Sequence, residues 1–199
     1  MYVARLLYPV EVLGVGKRVG LWFVGCPHHC RGCSNPELWE FQPRYAIRTE
    51  HIIALIQQLV REHPADGLTI TGGEPFFQPE ALHQIVTSAL LWTKDILVYS
   101  GFTLSELREM KHPDVDAVLS KIAVLVDGVY IPEQNGTCPL RGSDNQQIHI
   151  FRSELRNVYE KYLLRERQIQ NFMQGNSVIS VGLHHADFQF SGIAKEATE

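Results

Sequence analysis

Residues Gly25 to Trp39 read Gly-Cys-Pro-His-His-Cys-Arg-Gly-Cys-Ser-Asn-Pro-Glu-Leu-Trp, directly after the apolar run Val19-Gly-Leu-Trp-Phe-Val24. Cys26, Cys30 and Cys33 fall at C-x3-C-x2-C spacing in a loop punctuated by Gly and Pro. The run before them has the make-up of a buried strand, a rigid element from which to launch a loop. Three thiolates this close in sequence can converge on one metal centre. Structural zinc takes four ligands, usually from two paired clusters, and the remaining cysteine, Cys138, lies far along the chain without Cys or His at ligand spacing. A cubane iron–sulfur cluster normally takes four thiolates; three leave one iron open to a substrate, which points to reactivity more than to structure. His28 or His29 can instead complete a Cys3His zinc site, and three unligated thiols are the blander alternative. Four cysteines in 199 residues are too sparse for a disulfide framework.

Outward from this loop the chain alternates. Tyr2 to Gly16 reads as an edge strand or hairpin leading into a Lys17–Val24 strand. Pro36 to Phe41 reads as a short helical turn capped by Asn35. Thr49 to His63 has a wide apolar face at helical spacing, with Thr49 as the cap of its start and Pro64 after its end. Strands are expected at Gly67–Thr71, Asp95–Tyr99 and Lys121–Val126, and a helix at Pro79–Trp92. Thr103 and Glu106 form a capping box for a short helix. Ile131 to Asn145 reads as a polar loop, Gln147 to Phe151 as a strand, Ser153 to Gln174 as a long amphipathic helix, Ser177 to Leu183 as a last strand, and the tail from Ala194 as frayed.

Strands alternating with helices imply βαβ units, an α/β fold and a mostly parallel sheet in a single domain spanning 1–199. Ligands of such folds bind at the carboxyl ends of the strands. The cysteine loop, Gly72-Gly73-Glu74, Ser100-Gly101 and Asp127 all follow strand ends. The paired glycines of Thr71-Gly-Gly-Glu-Pro75 let backbone approach a ligand, and their carbonyls with Glu74 offer acceptors for an ammonium; a plain strand-to-helix turn is the alternative. Ser100-Gly101 is equally readable as an ordinary strand end, and Asp127 as a turn aspartate.

The cysteine loop resembles that of the radical S-adenosylmethionine (SAM) enzymes, and the full string Gly25–Trp39 looks like the branch that activates anaerobic ribonucleotide reductase. Gly32 stands where many of the wider superfamily carry an aromatic residue, which suits that branch. Leu140-Arg-Gly-Ser-Asp-Asn-Gln146 adds to the likeness, which covers Lys17 to about Phe151. The resemblance implies a partial (β/α) barrel and one [4Fe-4S] cluster on Cys26, Cys30 and Cys33. It implies SAM held by Gly72, Gly73 and Glu74 at its amino group, by Ser100 and Gly101 near its ribose, by Gly32 and Ser34 beside its adenine, with Asp127 a further acceptor. Reductive cleavage of SAM would give a 5′-deoxyadenosyl radical that takes a glycine α-hydrogen from a partner. No side chain is then needed as acid or base, because the cofactors carry the chemistry. The implied partners are a glycyl radical enzyme of the anaerobic ribonucleotide reductase type and a flavodoxin- or ferredoxin-type electron donor; Arg141 and Asn145 are candidates to contact that enzyme or SAM, a plain polar loop being the alternative. A radical SAM enzyme acting directly on a small molecule or peptide, or a non-enzymatic metal-binding module, are the competing functions.

Composition narrows the rest. A formal net charge of −4 with 20% charged residues offers no basic patch for nucleic acid. The first residues form no signal-peptide core, and no apolar run approaches the roughly 20 residues of a membrane span. A cytoplasmic protein is expected.

Overall fold

The computed structural model describes residues 1–185; the tail expected to fray from 194 lies outside them. Six strands form one sheet in chain order: β1 (Val3–Val10), β2 (Arg18–Phe23), β3 (Gly67–Gly72), β4 (Ile96–Tyr99), β5 (Val124–Asp127) and β6 (Gln147–Ile150). Strands β2 to β5 are parallel, while β1 and β6 run antiparallel at the two edges. The result is a mixed α/β domain with a mostly parallel central sheet, as the alternation of elements implies.

Strand periodicity sorts the side chains onto two faces. Leu21, Phe23, Leu68, Ile70, Ile96, Val98 and Leu125 point to one core. Helices α1 (Thr49–Glu62), α2 (Pro79–Ala89), α3 (Leu104–Glu109) and α4 (Pro113–Lys121) contribute Ile52, Ile56, Leu82, Ile85, Val86, Leu107, Val115 and Val118 to it. The intervening residues, Trp22, Leu97, Tyr99, Val124 and Val126, face the other way. They meet α5 (Ser153–Leu163) and a separate hairpin of β7 (Ile169–Gln174) and β8 (Ser177–Gly182).

Several expectations change in detail. The helix from Ser153 ends at Leu163 rather than Gln174, because the apolar stripe through Tyr159, Tyr162 and Leu163 has no continuation one turn on, where Glu166 and Arg167 stand. The residues beyond form β7, and the Gly175-Asn176 pair between two alternating runs is a hairpin signal that was readable in sequence. Helix α4, also unforeseen, starts with Pro113 in its first turn, and the His112 side chain accepts from the Asp114 N–H. Arg48, not Thr49, occupies the cap position of α1. The turn after the cysteine loop is a short 3-10 segment, Pro36–Leu38; Asn35 precedes it without capping it, its Oδ1 accepting from Arg5 instead. The Thr103–Glu106 capping box is present in both its halves.

Candidate functional site

At the carboxyl ends of β2, β3 and β4, on the sheet face opposite α1 and α2, lies a cavity of about 740 Å³. Its walls bring together Cys26, Cys30, Cys33, Gly32, Ser34, Gly72, Gly73, Glu74, Ser100 and Gly101. Segments up to 75 residues apart in sequence (Cys26 to Gly101) thus meet where strand-end logic expects them.

Backbone hydrogen bonds join the first two loops. Beyond the last β2–β3 pair, Phe23 with Gly72, the Gly73 N–H donates to the Phe23 carbonyl and the Glu74 N–H to the Gly25 carbonyl, both at 2.8 Å. A side chain on Gly73 would run into that Gly25 carbonyl, so the close approach requires glycine. The Gly25 and Cys26 N–H groups donate to the Leu38 and Trp39 carbonyls at 2.8 Å, and Arg5 ties the exit of the loop to β1 through Asn35 and Glu37. The cysteine loop is therefore anchored at its root and at its exit.

The Glu74 carboxylate is fully buried and is turned into the protein. Oε1 accepts from the Phe76 N–H (2.9 Å) and the Ser100 hydroxyl (3.0 Å), and Oε2 from the Gly101 N–H (2.7 Å). His28 Nε2 lies 3.3 Å from Oε2, close in distance but without hydrogen-bond alignment. Glu74 thereby fixes the Gly-Gly-Glu turn to the Ser100-Gly101 turn. Glu74→Gln would set an amide N–H against one of these buried donors. The expected cost is about 1–3 kcal/mol in urea unfolding of metal-free protein, with Glu106→Gln on the surface as the comparison; equal losses would mean that water reaches the clamp.

Asp127 is not brought into this cavity. Its buried carboxylate accepts from the Leu104 N–H (2.6 Å), the Gln147 N–H (3.3 Å) and His149 Nε2 (2.9 Å), bracing the turns around a neighbouring shallow depression. Arg141 pairs with Asp144 at 3.1 Å on the adjoining surface, and Asn145 donates to the Val129 carbonyl at 2.8 Å and borders the depression. Sequence reasoning missed Arg5, Tyr130, Asn135 and the residues from Val178 to His185, all of which line the cavity. It also missed Arg167, which donates to Asn135 Oδ1 and to the carbonyls of Cys138, Arg141, Gly142 and His184. Arg5, Tyr130, Asn135 and Arg167 are isolated residues without motif spacing, and of the run from Val178 only the hairpin turn before it was readable.

The donor set bears on the metal. All three cysteines are half-buried and free. Burial pushes the Cys26 thiol up to about 11, opposed in part by the backbone N–H of His28, and pushes Cys33 up as well. Loading a metal on these thiols must release protons, since the ligand is the thiolate. A single tetrahedral zinc with bonds of ~2.3 Å would hold sulfurs about 3.8 Å apart. Among the described residues, the group whose ligand atoms already lie within 4.8 Å of one another is Glu80, His112 and Asp114, and the three cysteines are not gathered that tightly. His28 is directed at Glu74, and His29 stacks on Trp39 with ring centroids 4.8 Å apart. Neither histidine completes a Cys3His set. Three free thiols on the wall of one cavity suit a cluster held by three thiolates.

Known proteins point the same way. A family model described as a 4Fe-4S single cluster domain matches residues 12–149. The anaerobic ribonucleoside-triphosphate reductase-activating protein of Vibrio cholerae is 34% identical over 157 residues, covering 72% of this chain and 95% of that protein. Its counterpart from Haemophilus influenzae is 33% identical, covering 73% and 96%. The one from Enterobacteria phage T4 is 29% identical, covering 71% and 90%.

Proposed function

Since this chain belongs to the 4Fe-4S single cluster domain family, and within it to the anaerobic ribonucleoside-triphosphate reductase-activating proteins, we propose that it is a SAM-dependent enzyme that installs a glycyl radical on an anaerobic ribonucleotide reductase. The observation that carries the reading is the hydrogen-bonded union of the cysteine loop with the Gly-Gly-Glu turn at one cavity wall. A bound [4Fe-4S] cluster, with SAM, would supply the one-electron reductive chemistry needed to generate a glycyl radical on the partner.

The chain's own residues bind and orient. Cys26, Cys30 and Cys33 hold the cluster. The backbone of Gly72 and Gly73 receives the amino-acid end of SAM. Ser100 and Gly101, locked by Glu74, shape the ribose subsite, and Gly32 and Ser34 border the adenine. Asp127 acts at one remove, holding the turn that follows Gly101 through the Leu104 N–H. Arg141 and Asn145, on the surface beside the cavity, suit contact with the partner. The sheet corresponds to a partial barrel of the radical SAM type, a flavodoxin- or ferredoxin-type protein is the electron donor, and the cytoplasm is the setting. No helix among the described residues is long and apolar enough to cross a membrane.

The test is anaerobic. Reconstituted protein, dithionite, SAM and an anaerobic ribonucleotide reductase should give a glycyl doublet in electron paramagnetic resonance, with 5′-deoxyadenosine formed alongside it. Cleavage of SAM without a doublet on the reductase would move the substrate elsewhere, and no cleavage at all would defeat the reading.

A further inference from the structure

The hairpin of β7 and β8 is a sheet of two strands, separate from the main sheet, and it lies outside residues 12–149, which match the cluster domain. Its loop is Gly175-Asn176, with Gly175 at φ +60°; a positive φ at the first central position is the requirement of a type II′ turn. A two-residue turn fixes the ladder that follows. Gln174 with Ser177, Phe172 with Ile179 and Gln170 with Val181 face one another as hydrogen-bonded pairs. Met173 with Val178 and Asn171 with Ser180 are the alternate, non-bonded pairs, whose N–H and C=O groups point away from the partner strand. On β8 these groups belong to Val178 and Ser180. Among the described residues, strand β8 pairs with no strand but β7, and no backbone hydrogen bond outside the hairpin reaches Val178 or Ser180.

This edge, unpaired among the described residues, faces the cavity. Consecutive residues from Val178 onward border it, and side chains that alternate between two faces do so only when the strand is seen edge-on. The edge is also held firmly. Phe172, Ile179 and Val181 pack with Leu13, Trp22 and Val24, and the Gln170 side chain bridges the Glu11 N–H and the Pro9 carbonyl.

We propose that this edge seats the partner polypeptide. An extended segment of the reductase adds to β8 as a third strand, hydrogen-bonded to the backbone of Val178 and Ser180, and so lies across the cavity that the three cysteines border. The occupant is a polypeptide because alternating donors and acceptors at strand spacing are matched by another extended backbone, whereas a small ligand meets one or two of them. The inference rests on the reading given under Proposed function and adds to it the mode of capture.

Two measurements test it. In wild-type protein, hydrogen exchange resolved to single amides should show Val178 and Ser180 exchanging freely, then slowing at least about tenfold when reductase is added; Ile179 and Val181, already in the ladder, should change little. Unchanged exchange at Val178 and Ser180 overturns the proposal. Protection already present without reductase assigns the edge to this chain's own residues 186–199, or to a second copy if it rises with protein concentration, and overturns it too. In the second measurement, Ser180→Pro removes an outward N–H and spares the ladder, and Ser180→Ala controls for the hydroxyl. Because Ser180 borders the cavity, radical transfer is scored against each variant's own rate of SAM cleavage without reductase: that ratio should fall at least about tenfold for the proline variant and stay at the wild-type value for the alanine variant. The two readings fail separately: absent cleavage by wild type overturns the activity, whereas normal radical transfer by Ser180→Pro overturns the edge. Should the proline variant misfold, Val178→Pro and the wild-type exchange data decide.

Discussion

Cys30→Ala is expected to abolish the cluster. Anaerobically reconstituted wild type should hold about four irons per chain and, once reduced, give a paramagnetic signal that changes on adding SAM. The variant should hold little iron, lose the signal and fall at least about a thousandfold in SAM cleavage, because the remaining two loop thiols do not replace a ligand that the chemistry cannot do without. Cys138→Ala is the control. Cys138 lines no part of the cavity with the other three, and its loss should leave iron content and signal as in wild type. If Cys30→Ala kept both, the cluster would be held by another ligand set. Zinc in the wild type at one ion per chain would overturn the cluster reading.

Asp95→Ala should produce the largest loss of stability. Arg18, the first residue of β2, is completely buried. Its guanidinium donates to Asp95 Oδ2 at 2.8 Å, to Thr69 Oγ1 at 2.6 Å and to the carbonyls of Val15, Leu68 and Asp95. Tyr159, its phenol pushed well up by burial and so kept neutral, donates to Asp95 Oδ1 at 2.6 Å. With the carboxylate gone, the cation stays in the core without its counter-charge. The expected cost is about 3–5 kcal/mol, read as a lower urea midpoint with an unchanged slope. A loss under about 1 kcal/mol would mean that water reaches the guanidinium, as at a surface pair.

The contrast between these positions explains what the sequence discloses. Cys26, Cys30, Cys33, Gly72 and Gly73 are legible because their chemistry depends on local spacing and on what glycine permits. The parallel strands are legible because burial on both faces leaves continuous apolar runs such as Val19–Val24 and Leu68–Ile70. Arg18, Asp95 and Tyr159 form one network across separations of 77 and 64 residues, and nothing local marks an arginine at the start of an apolar run as a core residue. Glu74 shows the intermediate case. Its place at the site follows from the turn, but the direction of its carboxylate depends on Ser100 and Gly101 arriving from another strand. The hairpin of β7 and β8 was hidden for a third reason: helix-forming residues run on past Leu163, and only the end of the apolar stripe and the Gly175-Asn176 pair reveal the change.

The Arg18 network has a kinetic consequence. Together with Thr69, Asp95 and Tyr159 it fills the sheet's amino-end side with buried, hydrogen-bonded polar groups, whereas the cavity opens on the opposite side, where the strands end. Under the proposed activity, the spent nucleoside forms in the interior while a large protein sits across that way out. It then leaves only after, or with, the protein that covered it. Turnover in such an arrangement is paced by the parting of two macromolecules, which suits a catalyst whose product needs to be made only once per partner.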